Sequence, residues 1–167
     1  SILSFSAIKN NDKVGLLLFS DRIEKYIPPQ KGKSHVLRVI REMIYHETKD
    51  RGTDIGFALD HIQKVLKRKS IIFLLSDFWD DSFFQSMKRL NKKHDLINIQ
   101  ILDQSEFKLP NIGLMKVHDA ENNNTSWIDT TKYNNRQNIS EFILSKKNNI
   151  EYFCKRNNID LISVNTN

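Results

Sequence analysis

Five consecutive apolar residues, Ile71-Ile-Phe-Leu-Leu75, run directly into Ser76-Asp77. The run is too short for a membrane span and too continuous for a strand with one wet face. It predicts a strand buried on both faces, as in the middle of a parallel sheet. Helix-start chemistry follows, with Asp80, Asp81 and then Ser82-Phe-Phe-Gln85 in capping-box spacing. A strand that ends in a carboxylate and feeds a helix sets that carboxylate at the sheet's carboxyl edge, where open α/β sheets bind ligands. Asp77 is therefore the first candidate site residue.

The rest of the chain supplies the layers such a strand needs. Residues 1 to about 10 read as the tail of a helix, and Val14-Gly-Leu-Leu-Leu-Phe19 is a second buried-strand run. After a turn at Ser20-Asp21-Arg22, Ile23 to Ile27 alternates as a short strand. Pro28-Pro29 closes it at a sheet edge, where a missing N–H does no harm. Ser34 is expected to cap a helix carrying Val36, Val39, Ile40, Met43 and Ile44 on one face. A second helix carries Ile55, Ala58, Leu59, Ile62, Val65 and Leu66, and a third, from Ser82 to Lys93, turns Phe83, Met87 and Leu90 inward. Leu96 to Leu102 is a strand with Ile97, Ile99 and Ile101 alternating. Strand and helix thus alternate, which predicts an α/β domain with a mostly parallel sheet and right-handed crossovers.

Beyond Asp103 the pattern changes to a small β-hairpin, with strands near Leu114–His118 and Ser126–Asp129 around Asn122-Asn-Asn124. A long helix from about Asn138 to Asn157, striped with Ile139, Phe142, Ile143, Ile150, Phe153 and Cys154, leads to a last strand at Asp160 to Val164. No internal repeat and no linker divides the 167 residues, so they form one domain with a real core.

Composition narrows the function classes. The single Cys154 excludes an internal disulfide and suits a reducing compartment, and no signal-peptide pattern opens the chain; a cytoplasmic location is expected. No apolar stretch approaches the ~20 residues of a transmembrane helix. An apolar helical pattern begins at Ser1 with no cap ahead of it, as in a chain cut from something longer. The net charge of +6 is gathered at Lys64, Lys67, Arg68 and Lys69 and at Lys88, Arg89, Lys92 and Lys93. Both clusters sit at helix C-termini, where the macrodipole favours cations. No aromatic stacking motif is interleaved with them, so nucleic acid is not the expected partner.

Chemistry concentrates at two places. Arg51-Gly-Thr-Asp54 and Ser76-Asp77 each lie where a buried element meets a helix N-terminus, and each presents hard oxygens. A hydroxyl and a carboxylate suit Mg²⁺, which takes few protein ligands and keeps waters. The plainer reading of Thr53 or Asp54 is an N-cap. Asp21 could face the same edge or simply make its turn. Asp80 and Asp81 read as first-turn helix charges, with a carboxylate-rich phosphotransfer site as the competing reading. Phe78 and Trp79 beside Asp77 suit a protein partner, or they pack under the next helix. His35, His46, His61, His94 and His118 have no metal-ligand spacing, and no Ser or Cys sits in a nucleophile signature. Cys154, on an apolar helix face, reads as packing.

Several of these segments together resemble a known family. Asn10-Asn-Asp-Lys-Val-Gly-Leu-Leu-Leu-Phe-Ser-Asp21, Tyr26-Ile-Pro-Pro29, Gly52-Thr-Asp54 and Phe73-Leu-Leu-Ser-Asp-Phe78 are similar to the bacterial family called domain of unknown function fifty-eight. The similarity continues through His94-Asp95, Leu109-Pro110 and Ile112-Gly113. The resemblance implies a von Willebrand factor A-like fold and association with a MoxR-type AAA ATPase. It also implies a metal-ion-dependent adhesion site, built from an Asp-x-Ser-x-Ser segment, a Thr and an Asp. The Thr falls on Thr53 and the Asp on Asp77, whereas the Asp-x-Ser-x-Ser segment is absent from this chain. The implied Mg²⁺ or Mn²⁺ site is then incomplete here and complete only in an intact parent.

In such sheets a first central strand lies between Val14–Phe19 and Ile71–Leu75, and this chain lacks it. The two strand edges should either close up and pair or recruit another chain, giving a homo-oligomer through the exposed edge. The function expected is a non-catalytic protein-interaction domain with Thr53 and Asp77 as metal ligands and Asp21, Phe78 and Trp79 toward the partner. The alternative is a Mg²⁺-dependent hydrolase or phosphotransferase using Asp77, Asp80 and Asp81. No general base and no phosphate-cradling glycine loop accompanies that cluster.

Overall fold

The computed structural model describes residues 2–47, 52–80, 82–103, 111–118 and 125–166. In chain order the elements are α1 (Ile2–Lys9), β1 (Val14–Phe19), β2 (Ile23–Gln30), α2 (Lys33–Tyr45), α3 (Ile55–Val65), β3 (Ile71–Ser76), α4 (Phe84–Asn91), β4 (Asp95–Asp103), β5 (Leu114–His118), β6 (Thr125–Asp129), α5 (Tyr133–Arg156) and β7 (Asp160–Thr166). The fold is mixed α/β. A parallel sheet of order β3-β4-β7 carries the core, and β1-β2 and β5-β6 form separate antiparallel pairs.

Register explains which side of the parallel sheet is covered. Ile71 pairs with Asp95 and Ile99 with Ile162, so Ile72, Leu74, Leu96, Asn98 and Leu161 share one face. That face meets Ile55 and Leu59 of α3, Phe83 beside α4, Met87 and Leu90 of α4, and Ile150 and Cys154 of α5. Each such side chain, buried, stabilises the fold by about 1.5–3 kcal/mol. At the centre of the layer Asn98 is fully buried, its amide 3.3 Å from both the Met87 and Cys154 sulfurs. Burial pushes the Cys154 thiol above its ordinary pKa, although the Asn98 hydrogen bond pulls the other way. It is a packing residue.

The other face carries Ile71, Phe73, Leu75, Ile97, Ile99, Ile101, Ile162 and Val164, and it is largely open, with Ile71 61% and Leu75 49% exposed. This corrects the expectation of a strand buried on both sides. The cause is the distribution of helices. α2 packs on β1 and α1 on α2, while the core of α3, α4 and α5 lies on the first face alone. No described helix is long and apolar enough to cross a membrane.

The two apolar strands do not close up. β1 pairs only with β2, and β3 only with β4, among the described residues. β2 also runs on through Pro28-Pro29 to Gln30 instead of ending at the prolines. It is an edge strand, so the missing N–H groups cost nothing there. Gly15 makes the approach possible, because a Cβ at that position would stand 2.9 Å from the Ile27 carbonyl and 3.0 Å from Pro29 Cγ.

Three helix starts differ from expectation. α2 begins at Lys33 behind an uncapped Gly32, so Ser34 lies inside the helix. α4 begins at Phe84 and not at Ser82, whose N–H is held instead by Asp80 at 2.8 Å. α5 begins at Tyr133, ahead of the first apolar residue of its stripe. It ends at Arg156, and two residues on Asn158 takes the left-handed region at φ 52°, with Ile159 N–H donating to the Cys154 carbonyl at 3.0 Å. That Schellman-type stop launches β7. Asn122-Asn-Asn124 and Leu109-Pro110 lie outside the described residues.

One-sided cover is testable by mutation. Met87→Ala should cost about 2–5 kcal/mol in urea unfolding, as a core truncation does. Ile71→Thr, on the open face, should stay within about 0.5 kcal/mol. A cost for Ile71→Thr matching that of Met87→Ala would mean the face is covered.

Candidate functional site at the carboxyl edge of the sheet

β3 delivers Ser76 and Asp77 to the carboxyl edge, where the chain turns sharply. Phe78 takes φ 59°, a left-handed conformation that costs a bulky residue of the order of 1–3 kcal/mol. The strain is held by packing, since Phe78 is only 4% exposed and its ring lies 5.5 Å from that of Phe83. Its N–H donates to Ser76 Oγ at 3.1 Å, and the Trp79 N–H reaches Asp77 Oδ1 at 3.4 Å. The turn thus drives Phe78 inward and leaves Asp77 exposed. Phe78, expected toward a partner, is a core residue and is out of a partner's reach. Trp79 is half-buried, its ring 6.4 Å from Phe142 and nearly parallel to it at 29°.

The second wall of the edge is the start of α3. Asp54 caps it, accepting from the Phe57 N–H at 2.7 Å, and its own N–H donates to the Ser20 carbonyl at the end of β1 at 2.9 Å. The next amide, Ile55 N–H, donates to Asp80 Oδ2 at 2.9 Å, in the loop that follows β3. Asp80 also accepts from the Ser82 N–H at 2.8 Å and the Ser82 hydroxyl at 3.0 Å. Two carboxylates therefore neutralise the orphan amides and positive end of α3. Asp80 belongs to that helix and not to the first turn of α4. Gly56 permits the closure, since a Cβ there would sit 3.3 Å from the Ser82 carbonyl.

Ser20 is buried and completes the third loop. Its hydroxyl lies 2.7 Å from Glu24 and 3.2 Å from Asp21, and its single proton goes to the nearer carboxylate. That bond, followed by Arg22 and His46, holds the Glu24 carboxyl below its usual pKa against the opposing effect of burial. Asp21 is exposed, with its Cβ 3.4 Å from where a side chain on Gly52 would begin. Asp21 and the Gly52-Thr53 segment are thus neighbours, and Thr53 is exposed beside the Asp54 cap.

The edge accordingly offers three exposed oxygen-bearing side chains, Asp21, Thr53 and Asp77, on loops that are bonded together through Asp54, Ile55 and Asp80. Asp54 and Asp80 are committed to amides. Among the described residues no three His, Cys, Asp or Glu side chains form a metal cage. A hydroxyl at Thr53 and a carboxylate at Asp77 are donor types that hard cations take, and two such groups fall short of a whole Mg²⁺ site. A phosphotransfer cluster of Asp77, Asp80 and Asp81 has no support in this geometry: Asp80 is turned to α3, and Asp81 lies outside the described residues. Sequence reasoning missed the role of Asp80. The signals for it were Asp80-x-Ser82, an Asx-turn pattern, and Gly56 in the first turn of α3.

The strained turn makes an inverted ranking. At an ordinary buried position Ala is better tolerated than Gly, but at φ 59° an Ala pays the left-handed penalty and Gly does not. Phe78→Gly should therefore be more stable than Phe78→Ala by about 1 kcal/mol. Thermal unfolding of the pair checks this, and Ala above Gly would show that the turn relaxes.

Comparison with known proteins adds a family and no activity. The model of the family described as "Protein of unknown function DUF58" matches residues 1–149. The uncharacterized proteins Mb1516 of Mycobacterium bovis and Rv1480 of Mycobacterium tuberculosis are each 24% identical over 123 residues, covering 71% of this chain. The chain spans only 38% of the length of those relatives. No solved structure matches. With 149 of its 167 residues under the family model, the chain belongs to the DUF58 family.

Proposed function

We propose that this domain is a non-catalytic protein-interaction module whose carboxyl edge receives a partner, in the manner of a metal-ion-dependent adhesion site. The observation that carries the reading is the bonded set of three loops that leaves Asp21, Thr53 and Asp77 exposed with Trp79 beside them. Such an edge is held in place before any partner arrives, which lowers the ordering cost of binding. Trp79 provides the kind of amphipathic anchor enriched at contact surfaces.

Charge decides what the partner brings. A carboxylate approaching Asp21 and Asp77 is repelled unless a divalent cation stands between them. Thr53 and Asp77 would supply two of the ligands of such a Mg²⁺ or Mn²⁺ ion, and the others would come from outside this chain. A von Willebrand factor A-like domain serving a MoxR-type AAA ATPase is the family-level form of this reading. Hydrolysis or phosphotransfer is disfavoured because Asp80 is spent on the Ile55 amide.

The test uses the protein at its full natural length and a MoxR-type ATPase from the same source. Thr53→Ala and Asp77→Ala should each weaken capture about tenfold or more while circular dichroism stays unchanged. EDTA should abolish capture by the unaltered protein. Capture that is equal with and without EDTA refutes the cation, and capture indifferent to Asp77→Ala refutes the edge.

A further inference from the structure

The opposite, amino-terminal edge of the same sheet holds a second feature. The loops entering β3 and β4 enclose an open cavity of about 400 Å³, walled by Gln63, Lys67, Arg68, Lys69, Lys93 and His94. The first rung of the ladder, Asp95 N–H to the Ser70 carbonyl at 2.9 Å, fixes the two loops side by side. No acidic side chain lines the cavity, and none of its four cations has an acidic partner among the described residues.

Helix ends do not account for this charge. α3 and α4 both finish at the cavity, and each C-terminus carries about half a negative charge. Together they offset about one of four cations. His94 forms part of the cavity wall. Its side chain is only 4% exposed, yet neither ring nitrogen has a hydrogen-bond partner. Burial, then Lys93, keeps the imidazole pKa below its usual value, so the neutral ring has one N–H to donate.

We propose that this cavity binds a small phosphate-bearing anion of the di- or triphosphate class. The volume is that of a small-molecule site. Four cations on two rigidly joined loops match an anion with several charges close together. A nucleic-acid strand fits less well, because no aromatic residue lines the cavity for a base to stack on.

Titration calorimetry of the full chain with inorganic tripolyphosphate, orthophosphate and a single-stranded oligonucleotide tests this. Tripolyphosphate should bind with one-to-one stoichiometry and more tightly than orthophosphate. Arg68→Gln combined with Lys93→Gln should weaken it about tenfold or more, since charge-assisted bonds are lost. Both side chains are exposed, so the fold stands. Lys155→Gln, outside the cavity, should leave it unchanged. The proposal is overturned by no binding of tripolyphosphate, or by equal binding in the double variant. Oligonucleotide binding that is tighter and equally sensitive to the double variant overturns it in favour of a nucleic-acid surface.

Discussion

The N-terminus of α3 is the joint on which this structure turns. β1 and β3 share no ladder hydrogen bond, so the β1-β2 hairpin and the parallel sheet are not joined as one sheet. Two adjacent amides tie their carboxyl ends together, Asp54 to the Ser20 carbonyl and Ile55 to the Asp80 carboxylate. Both bonds draw on the orphan donors that every helix start exposes, so the tie is made of groups that had to be satisfied anyway. Removing a capping carboxylate typically costs about 1 kcal/mol in a helix. Here it would also release one loop of the candidate site.

That joint explains why the edge is polar and preformed while the sheet beside it is apolar and open. A parallel sheet ordinarily has helices on both faces. Among the described residues this one has them on one, and its second face carries apolar side chains from Ile71 across to Val164. Patches of this kind mark contact surfaces. The unpaired edges of β1 and β3 add backbone donors and acceptors to the same region. Among the described residues the molecule thus has two surfaces of different character: a carboxyl edge with exposed oxygens, and an apolar face with unpaired strand edges.

Much of the fold was legible in local pattern. β1 and β5 fall where their apolar runs place them, and the strand–helix alternation through residues 55–103 reads directly as a parallel sheet. What was not legible depends on neighbours distant in sequence. A run such as Ile71 to Leu75 reports that a strand can be buried on two faces, not whether a second helix layer is there to bury it. Ser34 and Ser82 look like caps by residue type, yet Gly32 and Phe83 stand at the N-cap positions. At the candidate site, Asp77 and Thr53 stand out in the sequence because each lies where a buried element meets a helix start, and the structure sets them on loops that are bonded together. Phe78 was misassigned because a bulky residue at φ 59° leaves no mark in the sequence, and that turn sends the ring inward.

The central claim is that a partner meets the carboxyl edge and not the apolar face. Hydroxyl-radical footprinting of the protein at its full natural length, alone and with the proposed MoxR-type ATPase, addresses this directly because Trp79 and Phe73 are both strongly reactive side chains on different surfaces. The account predicts protection at Trp79 on partner binding, with Phe73 and Ile162 unchanged. Protection confined to Phe73, Ile162 and Val164, with Trp79 as reactive as before, would contradict it and make the open sheet face the interface.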